Sequence, residues 1–317
     1  MCIRDSLDSE GDNRNVNVAI PTVAGRVAAD PLTPADGNLL AGEANTAAPD
    51  GPDDVLDRGK GYLWDAALRK GLTVRNYGFF IDTTLYPATL PAGTTATPIP
   101  LLTNPYSTDA TVAIPSSVSL TLLTDPYFRG FDNQFPDYYR FKEWERDFDT
   151  NYAAGGLPAL SLVRLMHDHT GNFKDPGKFG LNTPELQQSD NDYALGLLVQ
   201  KIANSIYANN TLIFSIEDDS QDSGDHVDSH RTIAFVAGAY VKQQTLVSTQ
   251  YNTINFVRTI EEVLDLKPMN LNDAVAAPMA DIFNTAPSTW NFTATVPAGL
   301  YLSLIHISTR VAARRRS

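Results

Sequence analysis

Cysteine is nearly absent: Cys2 is the only one in 317 residues. A disulfide framework is excluded, and so is zinc held by a set of thiolates. Basic residues are scarce too, with 24 Lys and Arg against 37 Asp and Glu, a net charge of -13 and a pI near 4.7. A nucleic-acid face needs stripes of Lys or Arg to neutralise phosphates, and none occurs in the interior of the chain. Nor does any uninterrupted apolar run approach the ~20 residues of a membrane-spanning helix. Hydrophobic residues are not lacking, at 43%, and charged residues stand at 19%. That is a globular balance and excludes a disordered acidic chain. The length suffices for one large α/β domain or two small ones.

The two ends read as foreign to the rest. The chain opens Met1-Cys2-Ile3-Arg4-Asp5-Ser6 and near its end runs Leu302-Ser303-Leu304-Ile305-His306-Ile307. One short DNA word encodes the first when read forward and the second when read as its reverse complement. That word resembles the transposon end used in sequencing-library preparation. Residues 1–6 and 302–317 are therefore expected to be adapter-derived, with residues 7–301 as the natural part. Discounting the ends removes five arginines and one aspartate, leaving 19 basic against 36 acidic residues and a net charge of -17. Cys2, His306 and the terminal Arg run go with them. Four histidines remain, His167, His169, His226 and His230, in two clusters that are both rich in Asp.

Residues 7–60 are rich in Asn, Asp, Pro, Gly and Ala and predict an irregular surface segment. Tyr62 to Gly71 has apolar residues at helical spacing, a basic last turn and a glycine stop, so it predicts a helix. Thr73 to Gly78 predicts a strand. Residues 83–137 form a long Pro-, Thr- and Ser-rich stretch, of the kind that in a compact domain is functional or poorly ordered. Its aromatic residues, with those just after it (Phe128, Phe131, Phe135, Tyr138, Tyr139 and Trp144), read as a satellite core or as a cap over a site. A helix from about Tyr139 to Tyr152 ends at Gly155-Gly156, and Ala159 to Met166 predicts a mostly buried strand. Pro184 begins a long helix reaching about Ala208. Thr211 to Glu217 and Thr232 to Gly238 predict two further strands, and Asn252 to Leu266 a helix stopped by Pro268. Strands alternating with helices imply βαβ units and a three-layer αβα domain with a mostly parallel central sheet.

The chemistry gathers at two strand ends. The first predicted buried strand runs directly into His167-Asp168-His169-Thr170. The strand ending at Glu217 runs into Asp218-Asp219 and on through Asp222, Asp225-His226, Asp228 and His230-Arg231. In open parallel sheets, ligands bind beyond the carboxyl ends of the strands. Crowded carboxylates need a compensating cation or protonation. Imidazole mixed with carboxylate is a donor set for Zn²⁺, Mn²⁺ or Fe, and a Ca²⁺ loop over Asp222 to Asp228 is a variant. The bland alternative is a solvated acidic loop with surface histidines.

Several segments together carry a resemblance. Gly61-Tyr62-Leu63-Trp64-Asp65-Ala66-Ala67, Arg75-Asn76-Tyr77-Gly78, Asp168-His169-Thr170, Asp190-Asn191-Asp192-Tyr193-Ala194-Leu195-Gly196 and the stretch from Glu217-Asp218-Asp219 to His230-Arg231 resemble the bacterial phosphoesterase family. That family groups phospholipase C-like and acid-phosphatase-like enzymes within the alkaline phosphatase superfamily. The resemblance covers nearly all of residues 7–283. It implies an alkaline phosphatase-like fold and one or two divalent metal ions (Zn, Mn, Fe or Ca). It also implies hydrolysis of phosphate mono- or diesters, from small-molecule or lipid substrates, through a Ser or Thr nucleophile. Asp218 and Asp219 match the paired ligands of the metal that meets the nucleophile. Asp168, with His169 or His167, and one of His226 or His230, match the other metal or phosphate position. Where better-known superfamily members carry a ligand His four residues after the Asp, this chain has Asn172. Arg231 matches a phosphate-binding position, or forms a structural ion pair. Asp190-Asn191-Asp192 reads as a polar helix face packed near the metal edge.

The nucleophile is expected ahead of this region. Ser9 and Thr22 stand at no strand-to-helix junction, so the chain as given is expected to be inactive. A periplasmic or secreted setting goes with the family. A non-catalytic, metal-stabilised binding protein of the same fold is the alternative from another class, and a sulfate-ester hydrolase a third option.

Overall fold

The computed structural model describes residues 62–79, 118–130, 135–171, 180–217, 232–269 and 271–300, with isolated positions (81, 115, 132–133 and 173–174) between them. Within these residues the protein mixes helices with small sheets. Helix α1 (Leu63–Arg69) buries Trp64, Asp65, Ala66 and Ala67. It stops where the sequence supplies glycine. Gly71 takes φ +80°, its N–H bonds to Leu68 O at 2.9 Å, and Leu72 N–H bonds to Ala67 O at 3.0 Å. This paired capping turns the chain into strand β1 (Val74–Tyr77).

β1 pairs in parallel with β2 (Leu160–Val163), in a register running from Val74 opposite Leu160 to Tyr77 opposite Val163. A parallel pair needs a crossover. Helix α2 (Asp137–Asn151) lies on that connection. On its other side β1 bonds to Thr124 through a single bridge, with Asn76 N–H to Leu123 O at 2.9 Å and Asp125 N–H to Asn76 O at 2.8 Å. Helix α3 (Pro184–Ala203) starts as its sequence dictates: Pro184 sits in the first turn and the Thr183 hydroxyl accepts from Leu186 N–H. α2 packs on α3 through Trp144, Phe148, Ala194, Leu198 and Ile202, which share one core with Tyr77, Phe128 and Tyr207. Of the aromatic residues named for the 128–144 region, Phe128, Phe135, Tyr139 and Trp144 are buried as core, while Tyr138 is half-buried and stacks on Tyr193. Phe131 lies outside the described residues.

Strand β3 (Leu212–Ile216) pairs with β4 (Ala234–Gly238) in antiparallel fashion, and among the described residues this pair forms a sheet of its own, so the expected mostly parallel central sheet is met by β1–β2 and not by β3–β4. The reason is legible in hindsight. The Asp-, Ser- and His-rich sequence between the two strands carries no helical period, so nothing in it announces the crossover that a parallel pair needs. Gly238 ends β4 at φ +151°, and a Cβ there would stand 2.7 Å from Thr211 O. Helix α4 (Thr253–Leu264) opens with a capping box between Asn252 and Asn255, and the short helix α5 (Leu271–Val275) follows. α4 packs Phe256 edge-on to Phe214 of β3, with ring centres 5.3 Å apart. No helix among the described residues is long and apolar enough to cross a membrane.

A charged layer lies beneath the α2–β1 contact. Arg75 of β1 holds Asp147 of α2 with two bonds, Nε to Oδ2 at 3.0 Å and Nη2 to Oδ1 at 2.9 Å. The Tyr77 hydroxyl donates to the same carboxylate at 2.7 Å. One turn earlier, Arg146 Nε donates to both oxygens of Glu143 at 2.9 Å. Asp125 sits fully buried between these pairs. Its Oδ1 accepts from Tyr127 N–H at 2.8 Å, while Arg75 and Arg146 stop 3.7 and 3.8 Å from Oδ2. As a carboxylate, Oδ2 would have no hydrogen-bond partner. Among the described residues no donor reaches it within hydrogen-bond distance, an arrangement that favours the neutral acid. Burial, with the negative Glu143 and Asp147 alongside, pushes the Asp125 carboxyl up to about 8.

Candidate functional site

The first predicted cluster is built from the exit of β2 outward. Past Val163, the Arg164 N–H still bonds to Tyr77 O at 2.9 Å. The chain then meets the carboxylate of Asp137, at the first residue of α2. Met166 N–H donates to it at 2.9 and 3.0 Å, and His167 N–H at 2.8 Å. Asp137 also accepts from Asn191 Nδ2 at 3.1 Å and from Arg140 Nη1 at 2.9 Å. Arg140 is itself fully buried. Its remaining donors go to main-chain oxygens of the preceding loop: Gly130 at 2.7 Å, Asp132 at 2.9 Å, Arg129 at 3.2 Å, and Phe135.

Helix α2 has no side-chain cap of its own. Its cap comes from the neighbouring helix: Asp190 of α3 accepts from Asp137 N–H at 2.6 Å and from Tyr138 N–H at 3.2 Å. The same carboxylate faces His167 Nδ1 at 2.7 Å, and His167 Nε2 faces the Asn133 carbonyl at 3.1 Å. A carbonyl only accepts, so Nε2 carries a hydrogen. Burial alone would push His167 down. The hydrogen bond to Asp190 and the negative Asp190 and Asp137 outweigh it, and the imidazole titrates above its ordinary range. Burial also lifts Asp190, against the hydrogen bond from His167. Because Asp190 already accepts two main-chain N–H bonds, the arrangement that satisfies every donor leaves the charge on the carboxylate and the proton on His167.

Asp137, His167 and Asp190 thus offer three ligand atoms within 4.8 Å of one another, all from buried residues, and this group could hold a metal ion. In the hydrogen-bonded form each of those atoms is already engaged. Both His167 ring nitrogens face oxygen acceptors, so metal entry would cost the Asp190 bond and the ring proton.

Asp168 and His169, the pair expected as ligands, lie half-buried on the turn that follows. His169 N–H closes this turn on Met166 O at 3.1 Å. Further on, Gln187 of α3 clamps Gly171, accepting from its N–H at 2.8 Å and donating to its carbonyl at 2.8 Å. The segment from Met166 to Gly171 is therefore held at both ends by α2 and α3. The expected ligands Asp218, Asp219, His226 and His230, and the expected phosphate contact Arg231, lie outside the described residues. The strand that leads to them is present: β3 ends at Ile216, and Glu217 bonds back to Ile233 O at 3.2 Å.

Sequence reasoning placed Asp190 near the site and left Asp137, Arg140, Asn133 and Gln187 unassigned. Asp190 carried a usable signal. It shares a four-residue spacing with Ala194, Leu198 and Ile202, all buried, and a carboxylate on an apolar stripe requires a buried partner. Comparison of this chain with protein-family profiles, curated proteins and solved structures found no match.

Proposed function

We propose that this chain carries the acidic-histidine half of a metal-dependent phosphoesterase. It would hydrolyse phosphate mono- or diesters on a three-layer, alkaline phosphatase-like α/β scaffold. The observation that carries the reading is the parallel β1–β2 pair, whose second strand leads straight to Asp168 and His169 beyond its carboxyl end. Asp218 and Asp219 would hold the metal that meets the nucleophile. Asp168, with His169, and His226 or His230 would serve a second metal or the phosphate, and Arg231 a phosphate oxygen. The mixed imidazole and carboxylate donors suit Zn, Mn or Fe, and suit Ca less well.

A bound divalent ion supplies charge stabilisation to the phosphoryl oxygens and lowers the pKa of the attacking group. The residues of this chain supply position. Asp137 and Gln187 pin the two ends of the Met166–Gly171 segment, and phosphoryl transfer depends on such in-line placement more than on acid–base groups. A periplasmic or secreted setting goes with the same reading.

The test is turnover of chromogenic phosphomonoesters and phosphodiesters, with metal content measured on the same samples. It applies to the 317-residue chain and to the chain joined to the coding sequence that precedes it in intact genomic DNA. Activity is expected from the joined form. There, Asp218→Ala or Asp219→Ala should abolish turnover and lower bound metal without changing the circular dichroism. The buried Asp137–His167–Asp190 group favours one second reading, a non-catalytic protein stabilised by metal. Bound metal with no turnover on a broad ester panel, sulfate esters included, would support that reading instead.

A further inference from the structure

A single residue, Asn133, joins the buried Asp190–His167 pair to the ring of His169. Its main-chain carbonyl accepts from His167 Nε2 at 3.1 Å. Its side-chain nitrogen stands 3.1 Å from His169 Nδ1 and 3.1 Å from the His169 carbonyl oxygen. The second of these contacts sets the orientation of the amide. Turned over, the amide would aim its oxygen at a carbonyl oxygen, acceptor against acceptor. An amide nitrogen has only hydrogens to give, so the ring nitrogen it faces must supply a lone pair. A neutral imidazole that accepts at Nδ1 carries its hydrogen at Nε2.

We propose that Asn133 is a positioning residue that holds His169 in the Nε2–H tautomer, with the Asp190–His167 pair anchoring Asn133 from behind. The chain of bonds runs in one direction: His167 donates to Asp190 and to Asn133, and Asn133 donates to His169. The chemical consequence is specific. In this tautomer Nε2 is a hydrogen-bond donor suited to an oxyanion such as a phosphoryl oxygen, whereas metal ligation through Nε2 needs the opposite tautomer. His169 therefore belongs to the phosphate side of the site and not to the metal side. The ligand class rests on the phosphoesterase reading; the tautomer does not.

The test is a long-range ¹H–¹⁵N correlation spectrum of the histidine-labelled chain at about pH 8, above the ordinary imidazole range. His169 is expected to show a pyridine-type Nδ1 and a pyrrole-type Nε2. Asn133→Asp replaces the donor by an acceptor and should reverse the assignment to Nδ1–H, which a merely space-filling role would not do. Asn133→Ala should give a mixture of both tautomers, and it serves as the second variant should Asn133→Asp fail to fold by circular dichroism. A wild-type ring found as Nδ1–H, or an assignment unmoved in folded Asn133→Asp and Asn133→Ala, overturns the proposal. Adding inorganic phosphate to the wild-type chain tests the ligand class separately. Movement of the Nε2 resonance supports it. An unmoved resonance with the expected tautomer removes His169 from the phosphate site and leaves the positioning role standing.

Discussion

Replacing Asp125 by asparagine keeps the shape of a buried carboxylic acid and removes its ability to ionise. The groups facing it are Arg75 from β1, Glu143, Arg146 and Asp147 from α2, and Tyr152 just beyond. The unfolded chain gives up the Asp125 proton near its ordinary value of 3.8, and the folded protein keeps it to about 8. Across that window the native state binds one proton more than the unfolded state, so stability falls as pH rises. The slope from this group is at most about 1.4 kcal/mol per pH unit, and the accumulated loss is at most about 6 kcal/mol. In Asp125→Asn the amide oxygen can still accept from Tyr127 N–H, and that slope is gone. Urea unfolding followed through the buried Trp64, Trp144 and Trp290 reads the effect. Wild type and variant should be close in stability in mild acid, with wild type losing ground steadily toward pH 8. A constant gap between the two curves over the whole range would mean that Asp125 is ionised throughout, and the account of a carboxyl kept neutral by burial would fail.

Asp137→Ala should cost about 3–5 kcal/mol in the same assay, because it leaves the buried Arg140 guanidinium without a counter-charge and two strand-exit N–H groups without an acceptor; a loss under about 1 kcal/mol would refute that account. Gly238→Ala should destabilise by about 1–3 kcal/mol, through a left-handed backbone and a Cβ forced against Thr211 O, and chemical denaturation measures it. Glu261 of α4 shares the Met269 N–H with Asp273 of α5, at 3.1 and 2.6 Å. Burial, with Asp273 beside it, pushes the Glu261 carboxyl up to about 7, so its contribution to stability is full in acid and fades as pH rises through neutrality. Asp273→Asn should return Glu261 toward the ordinary carboxylate range, as followed by NMR titration of its side-chain carbonyl.

Local signals were legible where one short stretch decided the outcome. Gly71 stops α1, Thr183-Pro184 starts α3, and Asn252 caps α4, each at the residue type that chemistry requires. The aromatic stretch from Phe128 to Trp144 was equally readable as core or cap, and only the packing against α3 decides for core. The antiparallel pairing of β3 with β4 departs from a parallel order extrapolated from the alternation of elements, because the sequence between the two strands carries no helical period to announce a crossover. The histidines were found as a cluster, yet their division of labour was invisible. His167 and His169 are two residues apart, and only the long-range partners, Asp190 for one and Asn133 for the other, separate the fully buried ring from the half-buried one. Those partners stand 23 and 36 positions away, beyond the reach of periodicity.

Asp190 closes the start of a helix that begins 53 residues earlier in the chain. An isolated helix of the length of α2, without a cap of its own, barely outweighs its nucleation cost in water. The segment from Asp137 to Asn151 should therefore have little autonomy, gaining a defined first turn only once α3 has docked. The turn bearing Asp168 and His169 hangs on the same carboxylates. It should consequently assemble late and in one step with the α2–α3 pair, so that the chain has no intermediate in which those side chains are arranged while the helices are still apart.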